Sequence, residues 1–332
     1  LAERCLQARA RLSEEFWRGR TITAHDCFIE FHKVYSSFTP LLDPGKASSL
    51  GGGYFAALSG YGCVIDPGHH FLDNFLAKRS LDDIDGIVVT HFHDDHYADL
   101  PALLSLLYQR WRSTRRQVDI LVDETTATMF RPIFTWPAVT ASESRPKRSY
   151  LRSFHVLQPS DRGRPLGRHA RISCLPTVHP VFGENTGVGL VIDVAQVKTR
   201  LVITGDTGWQ ERMTKTYAAL KQPGAVLVAH VSTVHPGEAV GALLGNDFGY
   251  YDKHLGVRGL CRVIEALEPS SVILSEIGEE LETAITKLAD FVQRVYPCRC
   301  LVGWHQLQEP LPVAPANLDS AALLNVHTHV TP

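Results

Sequence analysis

The stretch THFHDDHYADLP, residues 90–101, places three histidines and two adjacent aspartates within six positions. It follows the apolar run IVVT (87–90), which predicts a buried strand, and precedes LPALLSLLYQRW (100–111), whose spacing predicts a helix. Because alternate side chains of a strand point to the same side, His91 and His93 are expected to face one cavity. The stretch therefore predicts a polar site where a buried strand meets a helix.

The same stretch has the composition of a metal site. The turn after the strand brings Asp95 and His96 toward the side on which His91 and His93 lie. Three imidazoles and a carboxylate at the end of a buried strand are costly to place there without a cation. Ligands this closely spaced do not fit comfortably around one tetrahedral ion, so two adjacent ions are predicted. His91 and His93 are expected to bind one ion, and Asp95 and His96 the other.

Strands and helices alternate along most of the chain. Apolar runs predict strands at CFIEF, YFAAL, GCVIDPG, DILV, YLRSFHVL, ARISCLPTV, VGLVIDVA, TRLVITGDT, AVLVAHVS, SVILSEI and RCLVGW. Helical spacing predicts helices over 71–81, 209–220, 256–267 and 279–295. This alternation indicates an α/β architecture with layered sheets. We expect a helical N-terminal extension over 1–26, the main domain over 27–308 and a C-terminal tail over 309–332.

Composition argues against several classes of protein. The chain has 332 residues, of which 44% are hydrophobic and 20% charged, so it can bury a sizeable core. A formal net charge of -2 disfavours a globally basic nucleic-acid-binding protein. No apolar run approaches the roughly 20 residues that a membrane helix needs, so we expect a cytoplasmic protein with no membrane partner. An odd number of cysteines, 7, predicts free thiols instead of a disulfide framework.

The motif HFHDDH (91–96) matches the His-x-His-x-Asp-His signature of the metallo-β-lactamase fold hydrolases, which the chain resembles over residues 28–306. The resemblance implies a four-layer αβ/βα sandwich with a dinuclear metal site. His179 in LPTVHP and Asp206 in VITGDT stand at the positions of a further imidazole ligand and of the carboxylate that bridges both metals. Asp66 in CVIDPG stands where an aspartate supports the metal loop without binding the ion.

Three later segments, VITGDTGW, AVLVAHVST and KHLGVRG, resemble the tRNase Z and phosphodiesterase branch of this family. His230 keeps the histidine of the branch's His-Glu-Ala-Thr strand end, whereas Val231 replaces its glutamate. His254 stands at the branch's catalytic histidine but is followed by Leu-Gly where the branch has Ser-Thr. Where the branch presents a final histidine ligand, this chain has Glu276 in LSEIGEEL. The resemblance implies phosphodiester hydrolysis and leaves tRNA processing open.

The second ion needs one protein ligand besides Asp95, His96 and Asp206, because a hydrolytic zinc keeps an open position for water. Glu276 ends the buried-looking strand SVILS, a rigid placement that favours it as this ligand. His254 opens a predicted helix after a glycine-bearing loop, a placement suited to an acid that meets the substrate. We expect Glu276 at the second metal and His254 at the leaving group, with the reverse assignment open. The candidates are His230, His235, His254 and Glu276.

Local charge and aromatic residues favour a phosphodiester substrate. Residues 142–171 hold eight basic and two acidic side chains. Tyr250 and Tyr251, in GNDFGYYDK, are predicted to stack bases near the metals. A solvated basic surface and ordinary loop packing are the alternatives for these groups. The predicted phosphate-guiding residues are Arg145, Arg148 and Arg152.

The sequence thus predicts a metal-dependent hydrolase that cleaves RNA, DNA or a cyclic nucleotide through a metal-activated water. Two divalent metals are the expected cofactors, and the imidazole and carboxylate ligands suit zinc, with manganese as the alternative. Asp95 and His254 are the predicted catalytic residues, and His254 would protonate or stabilise the leaving oxygen. The alternatives are hydrolysis of a lactam, lactone or thioester on the same fold, and a non-catalytic scaffold domain of a larger assembly. A homodimer is compatible with the sequence.

Overall fold

Two seven-stranded sheets form the centre of the molecule. The computed structural model describes residues 3–5, 7, 19–36, 52–132, 150–181, 183, 185–232, 253–278, 281, 283–304 and 307–312. In this part of the chain, no helix combines the length and the apolar composition that a membrane span requires.

The first sheet carries the strand that precedes the histidine motif. Its order is β14-β1-β2-β3-β4-β5-β6. The strands from β14 to β3 pair antiparallel, and those from β3 to β6 pair parallel, so β3, β4 and β5 end at one edge of the sheet. The strands are β1 (Cys27–Phe31), β2 (Tyr54–Leu58), β3 (Tyr61–Ile65), β4 (Gly86–Val89), β5 (Val118–Val122), β6 (Leu151–Val156) and β14 (Gln308–Pro310).

The second sheet has the same division into an antiparallel and a parallel half. Its order is β13-β12-β11-β10-β9-β8-β7. The strands from β7 to β10 pair antiparallel, and those from β10 to β13 pair parallel. The strands are β7 (Arg164–Leu166), β8 (Ala170–Pro176), β9 (Val188–Val194), β10 (Thr199–Ile203), β11 (Val226–His230), β12 (Ser271–Ser275) and β13 (Arg299–Val302).

Helices cover the outer faces of both sheets. They are α1 (Phe71–Leu76), α2 (Asp94–Tyr97), α3 (Leu100–Thr114), α4 (Glu124–Met129), α5 (Met213–Ala218), α6 (Val257–Leu267) and α7 (Ile285–Val295). The longest of them, α3, buries leucines three and four positions apart, which is the pattern that predicts an amphipathic helix. These residues are Leu100, Leu103, Leu104 and Leu107.

Three apolar layers pack the sheets and helices together. Phe31 of the first sheet and Ile192 of the second belong to the layer between the sheets. Leu104 of α3 packs in the layer outside the first sheet, and Leu260 of α6 packs with Leu227 outside the second. The layers therefore run helix, sheet, sheet, helix, and the predicted αβ/βα sandwich is confirmed.

A short backbone connection joins the two sheets beside the functional site. Tyr35 and Ile277 form an isolated parallel bridge, in which Ile277 N donates to Val34 O at 3.0 Å and Ser36 N donates to Ile277 O at 3.1 Å. The chain that follows β1 is thereby held against the residue that follows β12. Residues distant in sequence, Lys33 and Glu276, consequently become neighbours.

The packed structure extends past both predicted domain boundaries. Residues 19–26 are not helical, and Ile22 is buried in the outer layer of the first sheet, where Asp83 accepts hydrogen bonds from its backbone. Glu309 lies in β14 opposite Ile29, although it falls in the predicted tail, and Leu311 is also buried. Contacts with residues elsewhere in the fold hold these two segments in place. The local composition of each segment does not predict those contacts.

The predicted helix over 71–81 is shorter in the structure. It ends at Leu76 and is followed by a separate 3₁₀ turn, Leu81–Asp83. Ser80 caps this turn: its Oγ accepts a hydrogen bond from Asp82 N at 3.1 Å, and the Asp83 carboxylate accepts one from Ser80 N at 3.0 Å. This reciprocal capping box divides the segment in two.

Candidate metal centre

Predicted ligands from four strand ends meet in one buried cluster. The histidine motif follows β4, His179 follows β8, Asp206 follows β10 and Glu276 directly follows β12. The backbones of the two sheets hold these strand ends in place, so the side chains are positioned by rigid elements. The described residues of the cluster form three groups of donor atoms, with at most 4.8 Å between any two atoms of a group. The third group, Asp206, His230 and Glu276, shares Asp206 with the first group and Glu276 with the second, which are described in turn.

The first group consists of three imidazoles and a carboxylate. His93 Nδ1 lies 3.0 Å from His91 Nε2 and 3.1 Å from His179 Nε2. Asp206 Oδ2 lies 3.7 Å from His91 Nε2 and 3.9 Å from His179 Nε2. Three ring nitrogens and one carboxylate oxygen thus converge on a common space, which is a donor set that zinc accepts.

The environment keeps His91 and His93 in the neutral form that binds metals. Burial and the neighbouring His96 hold the pKa of His91 well below its usual value. Burial, together with the neighbouring imidazoles of His179 and His96, lowers the pKa of His93 to about 4. A neutral imidazole offers a lone pair to a metal ion. Ring nitrogens that converge with their lone pairs repel one another, and a cation between them removes that repulsion. The residues of the first group therefore fit a divalent metal ion.

The second group consists of Asp95, His96 and Glu276. His96 Nε2 lies 3.3 Å from Glu276 Oε2 and 3.5 Å from Asp95 Oδ2. Burial would raise the pKa of Glu276, but His230, His96 and Lys33 lower it to about 2. Burial would lower the pKa of His96, but the surrounding carboxylates, Glu276 first among them, raise it well above its usual value. The second group thus places two carboxylates around a single imidazole, with Glu276 and His96 fully buried.

Asp206 connects the two groups. Its Oδ2 lies 3.7 Å from His91 Nε2 in the first group and 3.6 Å from His96 Nε2 in the second. Burial alone would raise the pKa of Asp206, but His96 and His254 hold it well below the usual range. An ionised carboxylate between two ligand groups is the arrangement expected of a residue that bridges two cations. The buried histidines and carboxylates together have the composition and spacing of a dinuclear metal site.

A lysine also contacts the second group. Lys33 Nζ lies 2.8 Å from Glu276 Oε2 and 3.0 Å from Asp95 Oδ2, and the side chain is 1% exposed. Burial by itself would lower the pKa of Lys33, but Asp95, Glu276 and Asp206 raise it above its usual value. No local pattern in the sequence marks Lys33 as a member of the site.

A second layer of polar contacts orients the ligands. Asp66 Oδ2 lies 3.0 Å from His96 Nδ1 and accepts a hydrogen bond from Thr90 Oγ1 at 2.7 Å. These contacts place Asp66 where it can orient His96 and Thr90 of the histidine motif. On the other side, His230 Nδ1 lies 3.0 Å from Asp206 Oδ1, so His230 orients the Asp206 carboxylate.

Tyr54 extends this support to Glu276. Its hydroxyl lies 3.0 Å from His230 Nε2 and 2.9 Å from Ser275 Oγ, and it donates to Glu276 Oε1 at 3.2 Å. A single buried phenol therefore links His230, which supports Asp206, to Glu276 of the second group. Tyr54 was also not identified from the sequence, in which it is one of many aromatic residues in apolar runs.

The backbone is constrained where two of these carboxylates leave their strands. Asp66 has φ 53° and Glu276 has φ 50°, both in the left-handed region that side chains other than glycine rarely adopt. Such conformations are kept where the surrounding structure determines them, and they cluster at functional sites. The backbone of Gly53 packs closely against Asp66 and helps to hold its left-handed conformation. The packing is so close that a Cβ added to Gly53 would lie 1.9 Å from the carbonyl oxygen of Asp66.

His254 lies at the edge of the cluster. Its Nδ1 lies 3.0 Å from Ser232 Oγ and 3.6 Å from Asp206 Oδ2, and its side chain is 23% exposed, whereas Asp206 is 3% exposed. Burial lowers the pKa of His254. The structure thus brings His254 next to Asp206 and His179 of the first group, with part of its ring accessible, while Ser232 orients the ring.

The structure does not bring Arg152 to the cluster. Its guanidinium forms a salt bridge with Asp119, near the start of β5, whereas the cluster lies where β4 and β10 end. Two other arginines of the basic stretch donate to nearby backbone carbonyls: Arg162 to Cys174 O and Arg171 to Gly163 O. The remaining predicted residues lie outside the described part of the chain. They are Arg145, Arg148, His235, Tyr250 and Tyr251.

Two mixed sheets between helices, with a histidine-rich site at their strand ends, define the metallo-β-lactamase fold. Residues 63–277 match the profile of the beta-lactamase superfamily domain, and the chain belongs to this superfamily. A comparison with curated proteins found no significant match.

Several solved structures share this fold at low sequence identity. YhfI from Bacillus subtilis, a metallo-beta-lactamase fold protein, aligns with a TM-score of 0.62 at 14% identity, over 85% of this chain and 98% of its own. The short form of human tRNase Z aligns with a TM-score of 0.59 at 10% identity, over 86% of this chain and 100% of its own. A diphosphatase of the PhnP family aligns with a TM-score of 0.56 at 13% identity, over 87% and 99%.

Proposed function

We propose that the protein is a metal-dependent hydrolase that cleaves phosphodiesters in RNA, DNA or a cyclic nucleotide. The observation that carries the proposal is the buried cluster itself, in which Asp206 faces both a three-histidine group and a second acidic group. Burying this many charged and polar donor atoms is unfavourable unless a cation pairs with them. The cluster is therefore better explained by metal binding than by a contribution to the stability of the fold.

The proposed ligands follow from the two groups. His91, His93, His179 and Asp206 would hold the first ion, and Asp95, His96, Glu276 and Asp206 the second. The donors are nitrogen and oxygen atoms with no thiolate, which suits zinc and also manganese. Metal ions held there would supply Lewis-acid stabilisation of negative charge and a nucleophilic water at neutral pH.

The remaining chemistry is assigned to the chain's own side chains. His254 is proposed to donate a proton to the leaving oxygen, because it lies beside Asp206 with part of its ring accessible. Ser232 orients the His254 ring through Nδ1, which makes Nε2 the proposed donor. Asp95, which is 13% exposed, is proposed to contact the attacking water as well as the second ion.

The substrate class is supported by two independent features. The names of the compared tRNase Z and PhnP-family diphosphatase describe enzymes that act on phosphate-containing substrates. The surplus of basic residues over 142–171 suits a phosphate, and Arg145 and Arg148 are the proposed contacts within it. Tyr250 and Tyr251 are proposed to stack on bases.

A substrate panel tests the proposal. Protein reconstituted with Zn²⁺ or Mn²⁺ is assayed with bis(p-nitrophenyl) phosphate, a chromogenic lactam, a lactone and a thioester, with His93→Ala as the metal-site control. We expect phosphodiester cleavage to exceed the other activities and to be lost in His93→Ala. Preferential cleavage of the lactam, lactone or thioester would assign the protein to the alternative class. Absence of metal binding together with absence of all activities would leave the scaffold alternative.

A further inference from the structure

The side chain of Lys33 lies inside the second ligand group. Its Nζ is 2.8 Å from Glu276 Oε2, 3.0 Å from Asp95 Oδ2 and 3.3 Å from His96 Nε2. It also donates to the backbone oxygen of Asp95 at 2.9 Å. These three side chains are the full second group, so the ammonium contacts every proposed ligand of the second ion except Asp206.

The main chain on both sides of Lys33 is fixed. His32 N donates to Gly53 O at 2.8 Å, and Val34 O accepts from Ile277 N at 3.0 Å. The side chain is almost completely buried, at 1% exposed. Lys33 is therefore part of the folded site, in contrast to a surface lysine that reaches it occasionally.

The first group has a different charge environment. Within 4 Å, the basic groups beside Asp206 among the described residues are histidine rings, whereas the ammonium of Lys33 contacts the second group. A divalent ion entering the second group would meet the Lys33 ammonium at short range. Like charges repel at short range in a buried site, so the ammonium should oppose the binding of an ion there.

We propose that the Lys33 ammonium competes with a metal ion for the second position. The chain then holds one divalent ion firmly in the first group, and a second ion binds only when Lys33 withdraws from Asp95 and Glu276. While only the first ion is bound, the Lys33 ammonium supplies the positive charge at the second position. This inference rests on the proposed metal centre and makes the second ion the exchangeable one.

Metal titration of the Lys33→Met variant tests the competition. Protein freed of metal with a chelator is titrated with Zn²⁺ alone by calorimetry, and the metal retained after desalting is measured by elemental analysis. In the unsubstituted protein we expect one tight and one weak site, with one ion retained. In Lys33→Met the second affinity should rise about tenfold or more, with two ions retained, because the competing charge is gone.

Two controls separate this effect from others. Lys221→Met removes an exposed lysine that pairs with Glu268 at 2.5 Å, and it should leave both affinities unchanged. Lys33→Met combined with Glu276→Gln should not gain a tight second site, because a ligand is lost with the competitor. Circular dichroism checks the fold of each variant, and Lys33→Gln provides a second neutral variant if Lys33→Met does not fold.

The outcomes distinguish this inference from the proposed function. If the neutral Lys33 variants bind the second ion no more tightly than the unsubstituted protein, or if that protein already retains two ions equally, Lys33 does not compete. If no variant binds even the first ion, the metal centre itself is wrong. Tightening confined to the second site supports the competition.

Discussion

The carboxylate of Asp66 lies 3.0 Å from Nδ1 of His96, and both side chains are completely buried. Two hydrogen bonds from Thr90 hold the Asp66 carboxylate in this place. The backbone N and the Oγ1 of Thr90 each donate to it at 2.7 Å. A carboxylate at Nδ1 favours a proton on that nitrogen, which leaves Nε2 of His96, facing Asp95 and Glu276, as the atom for the proposed second ion. In the proposed metal centre, Asp66 would therefore set the tautomer of His96 without being a ligand itself.

Asp66→Asn should weaken metal binding in the second group. The amide removes the negative charge that favours the Nδ1 proton, and losses of supporting carboxylates typically reduce metal affinity by about 10- to 100-fold. Zinc titration by calorimetry measures the change, with Asp73→Asn as the control because Asp73 is 85% exposed. Equal second-site affinities in Asp66→Asn and the unsubstituted protein would show that Asp66 does not set the tautomer.

Glu276→Ala and His254→Ala should have opposite signatures. Glu276 contacts His96 and Lys33 in the second group, so its loss should weaken or abolish binding of the second ion. His254 is partly exposed beside Asp206, so its loss should retain both sites yet lower kcat by about 10²- to 10⁴-fold. Metal titration and steady-state kinetics measure the two effects separately.

Glu265→Ala and His25→Ala serve as matched controls, because both residues lie outside the cluster. The reverse pattern, in which the second ion is lost with His254 and kept without Glu276, would exchange the two assignments.

Gly68→Ala should disturb the second group through the backbone. A Cβ on Gly68 would lie 1.9 Å from the carbonyl oxygen of Asp95, so the loop that carries Asp95 and His96 must shift. Forced shifts in packed regions cost about 1–3 kcal/mol of stability, and here they should also lower the second-site affinity. Gly19→Ala is the control for backbone strain away from the cluster: its φ of 80° disfavours alanine, but nothing lies within 4 Å of the added Cβ, so the metal affinity should not change. If Gly68→Ala binds the second ion as tightly as Gly19→Ala does, the tight packing of Gly68 against the Asp95 loop does not control the second group.

Local sequence was sufficient for the fold and for much of the cluster. HFHDDH lies directly after a strand, so strand periodicity and one turn decide where its side chains go. His179 and Asp206 were identified by their order after this motif, and the structure brings both to the first group. Strand ends are rigid, so a ligand at a strand end can be anticipated from its position in the chain.

Contacts between distant segments were not accessible from the sequence. Lys33 reaches Glu276 because the bridge between Tyr35 and Ile277 joins the sheets, and no local pattern encodes that pairing. Tyr54 presents the same difficulty, since only the assembled sandwich puts its hydroxyl beside His230. A count of basic residues likewise does not show which of them are engaged by acidic partners, as Arg152 is by Asp119.

Arg152→Ala should change stability without changing substrate binding. Burial would raise the pKa of Asp119, but hydrogen bonds from Arg152, Ser153 and Tyr61 lower it below its usual value. A carboxyl with a lowered pKa stabilises the fold fully above its unfolded pKa of about 3.9, and this contribution is lost as the pH falls through the folded value. Because the Arg152 side chain is 46% exposed, solvent screening limits the expected loss at pH 7 to about 1 kcal/mol.

Urea unfolding at a series of pH values measures this effect. The difference in unfolding free energy between Arg152→Ala and the unsubstituted protein should be largest near pH 7 and should shrink below about pH 4, as Asp119 becomes protonated in both. In kinetic assays, Arg152→Ala should keep the KM for a phosphodiester, whereas Arg145→Ala combined with Arg148→Ala should raise it. A raised KM in Arg152→Ala with unchanged stability would instead assign Arg152 to the substrate.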